Sequence, residues 1–353
     1  MNYKEIKFKI RKLSIKTFSW EYWPVWLVYF PVSFYYIYLS IKARSFFFFS
    51  ASNPTIETGG MFFESKWKIF ELMPKAYFPS TIYIETHDLL NTISNKMDDA
   101  GISFPIIAKP DKGERGWGVK KIGSIEELAV YKNNTNIEFL IQSYINTPFE
   151  FSVFYYRNPK SLKGNITSVT LKKLLSVTGD GLSTIEMLIK KNNRSFLQYK
   201  KLQTNKLINF NQVLECGEDQ VLVPYGNHIL GATFLDYNHI IDDRLIATFD
   251  KISNGISGFY YGRFDIRCTS IEDLKAGKNI SILELNGAGA EPAHIYDPKF
   301  SFFSAQLVLA RHYKMMYEAA VENNKNGIEY MTYNAFKLTR KLEKKFKQKV
   351  ILQ

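Results

Sequence analysis

The pattern of apolar and polar positions is clearest late in the chain. Phe264-Asp265-Ile266-Arg267 and, after a short interval, Ile282-Leu283-Glu284-Leu285-Asn286-Gly287 alternate apolar with polar residues, the period of a strand with one face turned from the core. Period two puts Glu284 and Asn286 on one face, and Asp265 shares a face with Arg263 and Arg267. Apolar runs predict further strands at residues 104–108, ending in Lys109-Pro110, and at 139–145, with Glu150 just beyond. Another leads off from Thr81. Residues 64–70 read as a short capped helix that stops before Pro74, and 302–317 as an apolar helix. Beyond Asn326, Phe336, Leu342, Phe346 and Val350 recur at near-helical spacing among Lys337, Arg340, Lys341, Lys344, Lys345, Lys347 and Lys349. That is a basic amphipathic helix.

The amino-terminal stretch follows another rule. Lys4, Lys7, Lys9, Arg11, Lys12 and Lys16 stand against one acid, Glu5, and residues 22–41 carry no charge until Lys42 and Arg44 close the run. Twenty uncharged residues can just span a bilayer. Pro24 and Pro31 interrupt the helix, and the many Tyr and Trp residues prefer the headgroup level. The segment is therefore expected to lie against a membrane interface or to pack on the rest of the protein, rather than to span. Phe46 to Phe49, then Asn53-Pro54 and Gly59-Gly60, read as a turn-rich connection and a natural boundary.

Length allows one large or two to three ordinary domains, since the chain has 353 residues. The formal net charge of +12 is concentrated in terminal segments with apolar stripes, so an anionic membrane surface is the simplest common partner, and nucleic acid, for which no binding motif appears, is disfavoured. Cys216 and Cys268 are too few for a disulfide framework and match no zinc spacing. A reducing, cytoplasmic setting fits, peripheral on the membrane face, and no small-residue cleavage site follows the apolar run.

Asp265, Glu284 and Asn286 offer oxygen ligands only, which suits a hard cation such as Mg²⁺ completed by substrate phosphates. Gly113, Gly116 and Gly118 permit a tight loop with amides aimed inward beside Lys109. Gly-Lys-Ser/Thr is absent, so this is no Walker A loop.

Taken in order, Lys66, Lys109-Pro110, the loop from Gly113 to Gly118, Gln142-Ser143-Tyr144-Ile145, Glu150, Arg263-Phe264-Asp265 and Glu284-Leu285-Asn286 resemble the ATP-grasp superfamily, in its D-alanine–D-alanine ligase and glutathione or cyanophycin synthetase branch. The resemblance covers roughly residues 60–310. Val177-Thr178-Gly179-Asp180-Gly181-Leu182-Ser183-Thr184-Ile185 resembles a cyanophycin synthetase segment, a sharp turn followed by a helix capped by Ser183 with Glu186 three residues on.

The resemblance implies an α+β fold of two subdomains clasping ATP at 59–320, preceded by a basic, aromatic segment at 1–58 in place of a full domain and followed by the helix at 321–353. It implies ATP with Mg²⁺ (or Mn²⁺) and a carboxylate–amine ligation through an acyl phosphate. Lys66, Lys109 and the loop glycines would hold phosphates. Gln142, Tyr144 and Ile145 would meet adenine, with Gln142 where many relatives have an acid, and Glu150 would meet ribose. Arg263 would stabilise an oxyanion, and Asp265, Glu284 and Asn286 would hold the metal. Arg267 is either a site residue or a structural ion pair, and His294 is a loop histidine or an acceptor-side base. A phosphotransferase on the same fold and a non-catalytic nucleotide-binding scaffold are the rival readings. Deleting residues 1–45 is expected to leave ATP binding intact.

Overall fold

The apolar runs become two larger antiparallel sheets and a two-stranded antiparallel ribbon. The computed structural model describes residues 3–113, 116–205 and 208–351; Glu114 and Arg115 of the glycine-rich loop, and the side chains of Lys4, Lys349, Val350 and Ile351, lie outside the described residues. In chain order come α1 (Tyr3–Phe18), α2 (Val25–Ala43), α3 (Lys66–Leu72), β1 (Thr81–Ile84), α4 (Leu90–Asp99), β2 (Ile106–Pro110), β3 (Lys120–Ile122), α5 (Ile125–Asn133) and β4 (Phe139–Ser143). Then follow β5 (Phe149–Tyr156), β6 (Asn165–Lys173), β7 (Leu175–Thr178), α6 (Ile185–Lys191), α7 (Asn193–Leu202), β8 (Asp219–Val223) and β9 (Thr233–Asp236). The chain ends through α8 (Asp243–Asn254), β10 (Tyr261–Cys268), α9 (Ile271–Ala276), β11 (Ile280–Asn286), α10 (Phe302–Lys325) and α11 (Tyr333–Ile351).

The smaller sheet runs β1-β4-β2-β3, and Ile84, Ile106, Phe139 and Ile141 from it pack on Ile93 and Met97 of α4 and Leu128 of α5. The larger runs β11-β10-β5-β6-β9. Alternation along β10 sends Phe264, Ile266 and Cys268 into a core with Leu245, Phe249 and Ile252 of α8 and Ile69 and Phe70 of α3. Arg263, Asp265 and Arg267 therefore share the opposite face, which looks into a cleft. The class is α+β.

Three expectations shift. Glu150 lies within β5, not in a linker. The helix after Gly-Asp-Gly is capped by Thr184, whose hydroxyl accepts from the Met187 amide, while Ser183 binds back to Asp180. The boundary drawn at 320 falls inside α10, which runs on to Lys325 because its face with Met316, Ala319 and Ala320 stays buried.

The connection at 50–60 is a staple rather than a spacer. Asn53, fully buried, donates to the carbonyls of Gly59 and Tyr261 and accepts from the Tyr260 and Tyr261 amides. The carbonyls of Gly59 and Gly60 accept from the Ala288 and Gly289 amides. A Cβ on Gly60 would sit 2.7 Å from Gly287 Cα, and φ there is +76°, so glycine is required twice over.

Both ends pack on this frame. Along α2, Val28, Val32 and Leu39 are buried, and Gln306 of α10 donates to the Val28 carbonyl. Phe8 of α1 lies 4.6 Å from Phe196 of α7, and Arg11 donates to the Lys190 carbonyl. From α11, Phe336 stacks on Phe47, and Phe346 meets Phe63 and, at 6.4 Å, Trp117 of the glycine-rich loop. Leu342 of the same predicted stripe stays exposed.

Candidate active site

A cleft of about 730 Å³ is lined by both sheets, the glycine-rich loop and the start of the chain. Lys66, Lys109, Gly113, Gly116, Gln142, Tyr144, Ile145, Glu150, Arg263, Asp265, Glu284 and Asn286 all line it. Gly118 does not: at φ +69° it folds the loop back so that any Cβ would strike Pro110.

The phosphate-type cations come first. Ser65 caps α3 through the Lys68 amide, and Asp111 accepts from Ser65 Oγ and the Trp67 amide, which orients the first turn. Lys66 Nζ then donates to the Gly113 carbonyl at 2.6 Å and lies 3.9 Å from Glu284 Oε1, tying the loop to the acidic strand. Lys109, buried at the end of β2, donates to Gln142 Oε1 at 2.9 Å and to the Leu283 carbonyl at 3.0 Å. That carbonyl is free because of a register shift: Asp265 pairs with Glu284 and Ile266 with Ile282, leaving Leu283 as the extra residue. Burial pulls the Lys109 ammonium down to about 7 against the opposing charge of Glu284, and Lys66 adds to the fall.

The acids divide into two kinds. Glu284 is partly open to solvent, and Asn286, opposite Arg263 in the ladder, has a buried side-chain nitrogen with no hydrogen-bond partner among the described residues. With its amide turned end for end, Asn286 offers an acceptor there. These two side chains fit a hard cation. Asp265 is held differently: Oδ1 accepts from Ser152 Oγ at 2.6 Å and Arg263 Nε at 3.0 Å, and Oδ2 from Arg263 at 3.2 Å and Lys172 at 3.1 Å. Burial pushes its carboxyl up, but Arg263 and Lys172 outweigh it and hold the group well below the usual carboxylate range. Asp265 has to exchange one of these partners before it can ligate a cation.

Arg263 spends Nε and one terminal N–H on Asp265 and another on the Glu291 carbonyl, so each terminal nitrogen keeps a second donor. Gln142 is committed at both ends, its oxygen to Lys109 and its nitrogen to Thr81. It orients the lysine, where the sequence reading had it facing adenine. The Ile145 carbonyl accepts from Arg267 at 2.8 Å, and the Tyr144 ring has Lys121 Nζ 3.8 Å from its centroid.

Lys172 is the residue the sequence reading missed. From β6 its Nζ lies 3.3 Å from Glu150 and 3.1 Å from Asp265, and Arg267 pairs with Glu150 at 3.3 Å. The cluster is buried. Burial lowers the Lys172 ammonium, yet Asp265 and Glu150 raise it further, so the net direction is up. Glu150 is thereby a member of an ion network, with Gly226 close enough that any Cβ would sit 2.3 Å from its carboxylate. Arg267 makes the ion pair of its structural reading and also lines the cleft. His294 is buried, bound to Ser168 Oγ at 2.6 Å and set edge-on to Phe300. Burial lowers its pKa, and it does not line the cleft.

No protein-family model matches the chain. Over 138 residues it is 27% identical to the glutathione biosynthesis bifunctional protein GshAB of Streptococcus agalactiae, an alignment covering 36% of this chain and 17% of that protein. It thus spans less than a fifth of the curated relatives it matches. Among solved structures it is similar to D-alanine–D-alanine ligase from Bacillus anthracis, with a TM-score of 0.45 and 14% identity over 76% of this chain and 70% of that one. The solved structures to which the chain is similar are ligases and synthetases by name. A bifunctional glutathione synthetase from Pasteurella multocida gives a TM-score of 0.40 and 15% identity, covering 70% of this chain and 36% of that chain. The VanG D-Ala:D-Ser ligase of Enterococcus faecalis gives 0.41 and 13%, covering 72% and 62%.

Proposed function

We propose that this chain is an ATP-dependent carboxylate–amine ligase working through an acyl phosphate. The observation that carries the reading is the meeting, in one cleft, of Lys66, Lys109 and the glycine-rich loop with Glu284, Asn286 and Arg263. A carboxylate oxygen of the substrate attacks the γ-phosphorus of ATP, the bond to ADP breaks, and an acyl phosphate results. An amine nitrogen then attacks the acyl carbon, phosphate leaves with the C–O electron pair, and the nitrogen loses its proton.

Lys66 and Lys109 hold phosphate oxygens, and loop amides close over them and exclude water that would hydrolyse the intermediate. The spare N–H groups of Arg263 face the oxyanion of the second step. Glu284 and Asn286 would hold Mg²⁺ (or Mn²⁺), which would supply neutralisation of phosphate charge.

ADP release with Mg²⁺ and ATP across pooled amino acids, dipeptides and envelope precursors tests the reading. Substrate-dependent ADP is expected with an equal amount of phosphate, and Glu284→Ala is expected to lower the rate on the order of 10²-fold or more, the equivalent of several kcal/mol. ADP without phosphate, and a stable phosphorylated product, would make the protein a phosphotransferase. ATP binding with no turnover in any pool would leave it a scaffold.

Lys109 supplies a pH test. Only its ammonium form attracts phosphate, and that form is complete below about pH 7 and lost above it. ATP affinity is expected to fall as pH rises beyond that point, by at most about tenfold per unit, with a proton taken up on binding. Calorimetry in buffers of different ionisation enthalpy reads the uptake, which Lys109→Met removes; flat affinity without uptake would contradict it.

A further inference from the structure

The first two helices each bury one side and leave the other both apolar and bare. On α2 the exposed side chains are Trp26, Phe30, Phe34, Ile37, Tyr38 and Ile41, a stripe at helical spacing, with Trp26 70%, Phe30 57% and Phe34 61% exposed. Its other side carries Val28, Val32 and Leu39, all buried, against α10. On α1 the bare stripe is Tyr3, Ile6, Ile10 and Leu13, while Phe8 and Arg11 hold the opposite side to α7. Phe303 and Leu307 are likewise exposed one turn apart on α10, flanking the residue that binds α2.

Cations edge these stripes: Lys7 and Lys9 on α1, Lys42 and Arg44 at the end of α2, and Arg311 and Lys314 on α10, while Lys12 and Lys16 line the cleft. Glu5 is the one acid on α1, and α2 has none. Exposed aromatic rings bordered by lysines match the headgroup region of an anionic bilayer, where rings sit at the acyl boundary and ammonium groups reach lipid phosphates. By length and composition Val25–Ala43 is the one described helix able to cross a membrane. Its buried side is already filled by protein, however, so crossing would strip Val28, Val32 and Leu39 from α10.

We propose that the protein docks in the plane of an anionic membrane surface through the exposed stripes of α1 and α2, without spanning it. Sedimentation of the full chain with phosphatidylcholine vesicles, with and without phosphatidylserine, tests this. Binding is expected only to the anionic vesicles, weakened by salt, and lowered about tenfold or more in the triple variant Trp26→Ser, Phe30→Ser, Phe34→Ser. Because these side chains are exposed, the variant should keep the parent's melting temperature, which separates lost docking from lost fold. Failure to bind either vesicle, or equal binding by the variant, would overturn the proposal. So would membrane-bound protein that resists alkaline carbonate extraction, the mark of a span, or a solution dimer that the variant dissolves without any vesicle binding.

Discussion

A chain lacking residues 1–45 is expected to lose its cooperative unfolding transition. The earlier expectation that such a truncation keeps ATP binding gives way to the packing of α2. Val28, Val32 and Leu39 are buried against α10, and Tyr36 stacks on Phe48 and meets Tyr313. Each buried aliphatic side chain is worth about 1.5–3 kcal/mol relative to exposure. Tyr29 also binds Glu291 in the cleft wall, and Glu21 neutralises Arg194, which is otherwise buried. Removing one side of all these contacts at once subtracts an amount comparable with the roughly 5–15 kcal/mol that holds a domain folded. Calorimetry or circular dichroism on heating is the measurement. A truncated chain with a sharp transition and undiminished ATP binding would show the segment to be dispensable.

Lys172→Met is expected to cost about 1–3 kcal/mol of stability, because each of two buried carboxylates loses one of its charged donors. Glu150 keeps Arg267 and Asp265 keeps Arg263, so the fold should survive in weakened form. The pH dependence follows from Asp265. Its folded carboxyl is held below the unfolded value, so its contribution is complete above about pH 4 and fades as pH falls. Chemical denaturation at neutral pH measures the loss. A single variant as stable as the parent would mean that the lysine balances no net charge.

Several parts of the site were legible because they are local. Period two placed Glu284 with Asn286 and Arg263 with Asp265, and the ladder between β10 and β11 then set Asp265 opposite Glu284 and Arg263 opposite Asn286. The capped helix expected at 64–70 forms at Lys66–Leu72, with Ser65 as its cap. Residues 50–60 misled for the opposite reason: asparagine and paired glycines signal a turn, and they do make one, but nothing local says that Gly287 will press against it.

What the sequence determined by itself is therefore strands β1, β2, β4, β10 and β11, the side-chain faces of β10 and β11 and the conformational freedom of the glycine-rich loop, since each depends on neighbours within a few residues. The tertiary structure alone decided which charges are spent. Lys172 sits in a strand with no motif around it, yet it meets acids from β5 and β10. Leu283 yields its carbonyl to Lys109 only because β11 slips by one residue against β10. Such partners lie tens to hundreds of residues apart, and whether a charge is free for a ligand or balanced by its own chain is a property of the folded sheet, where burial makes every unpaired group costly.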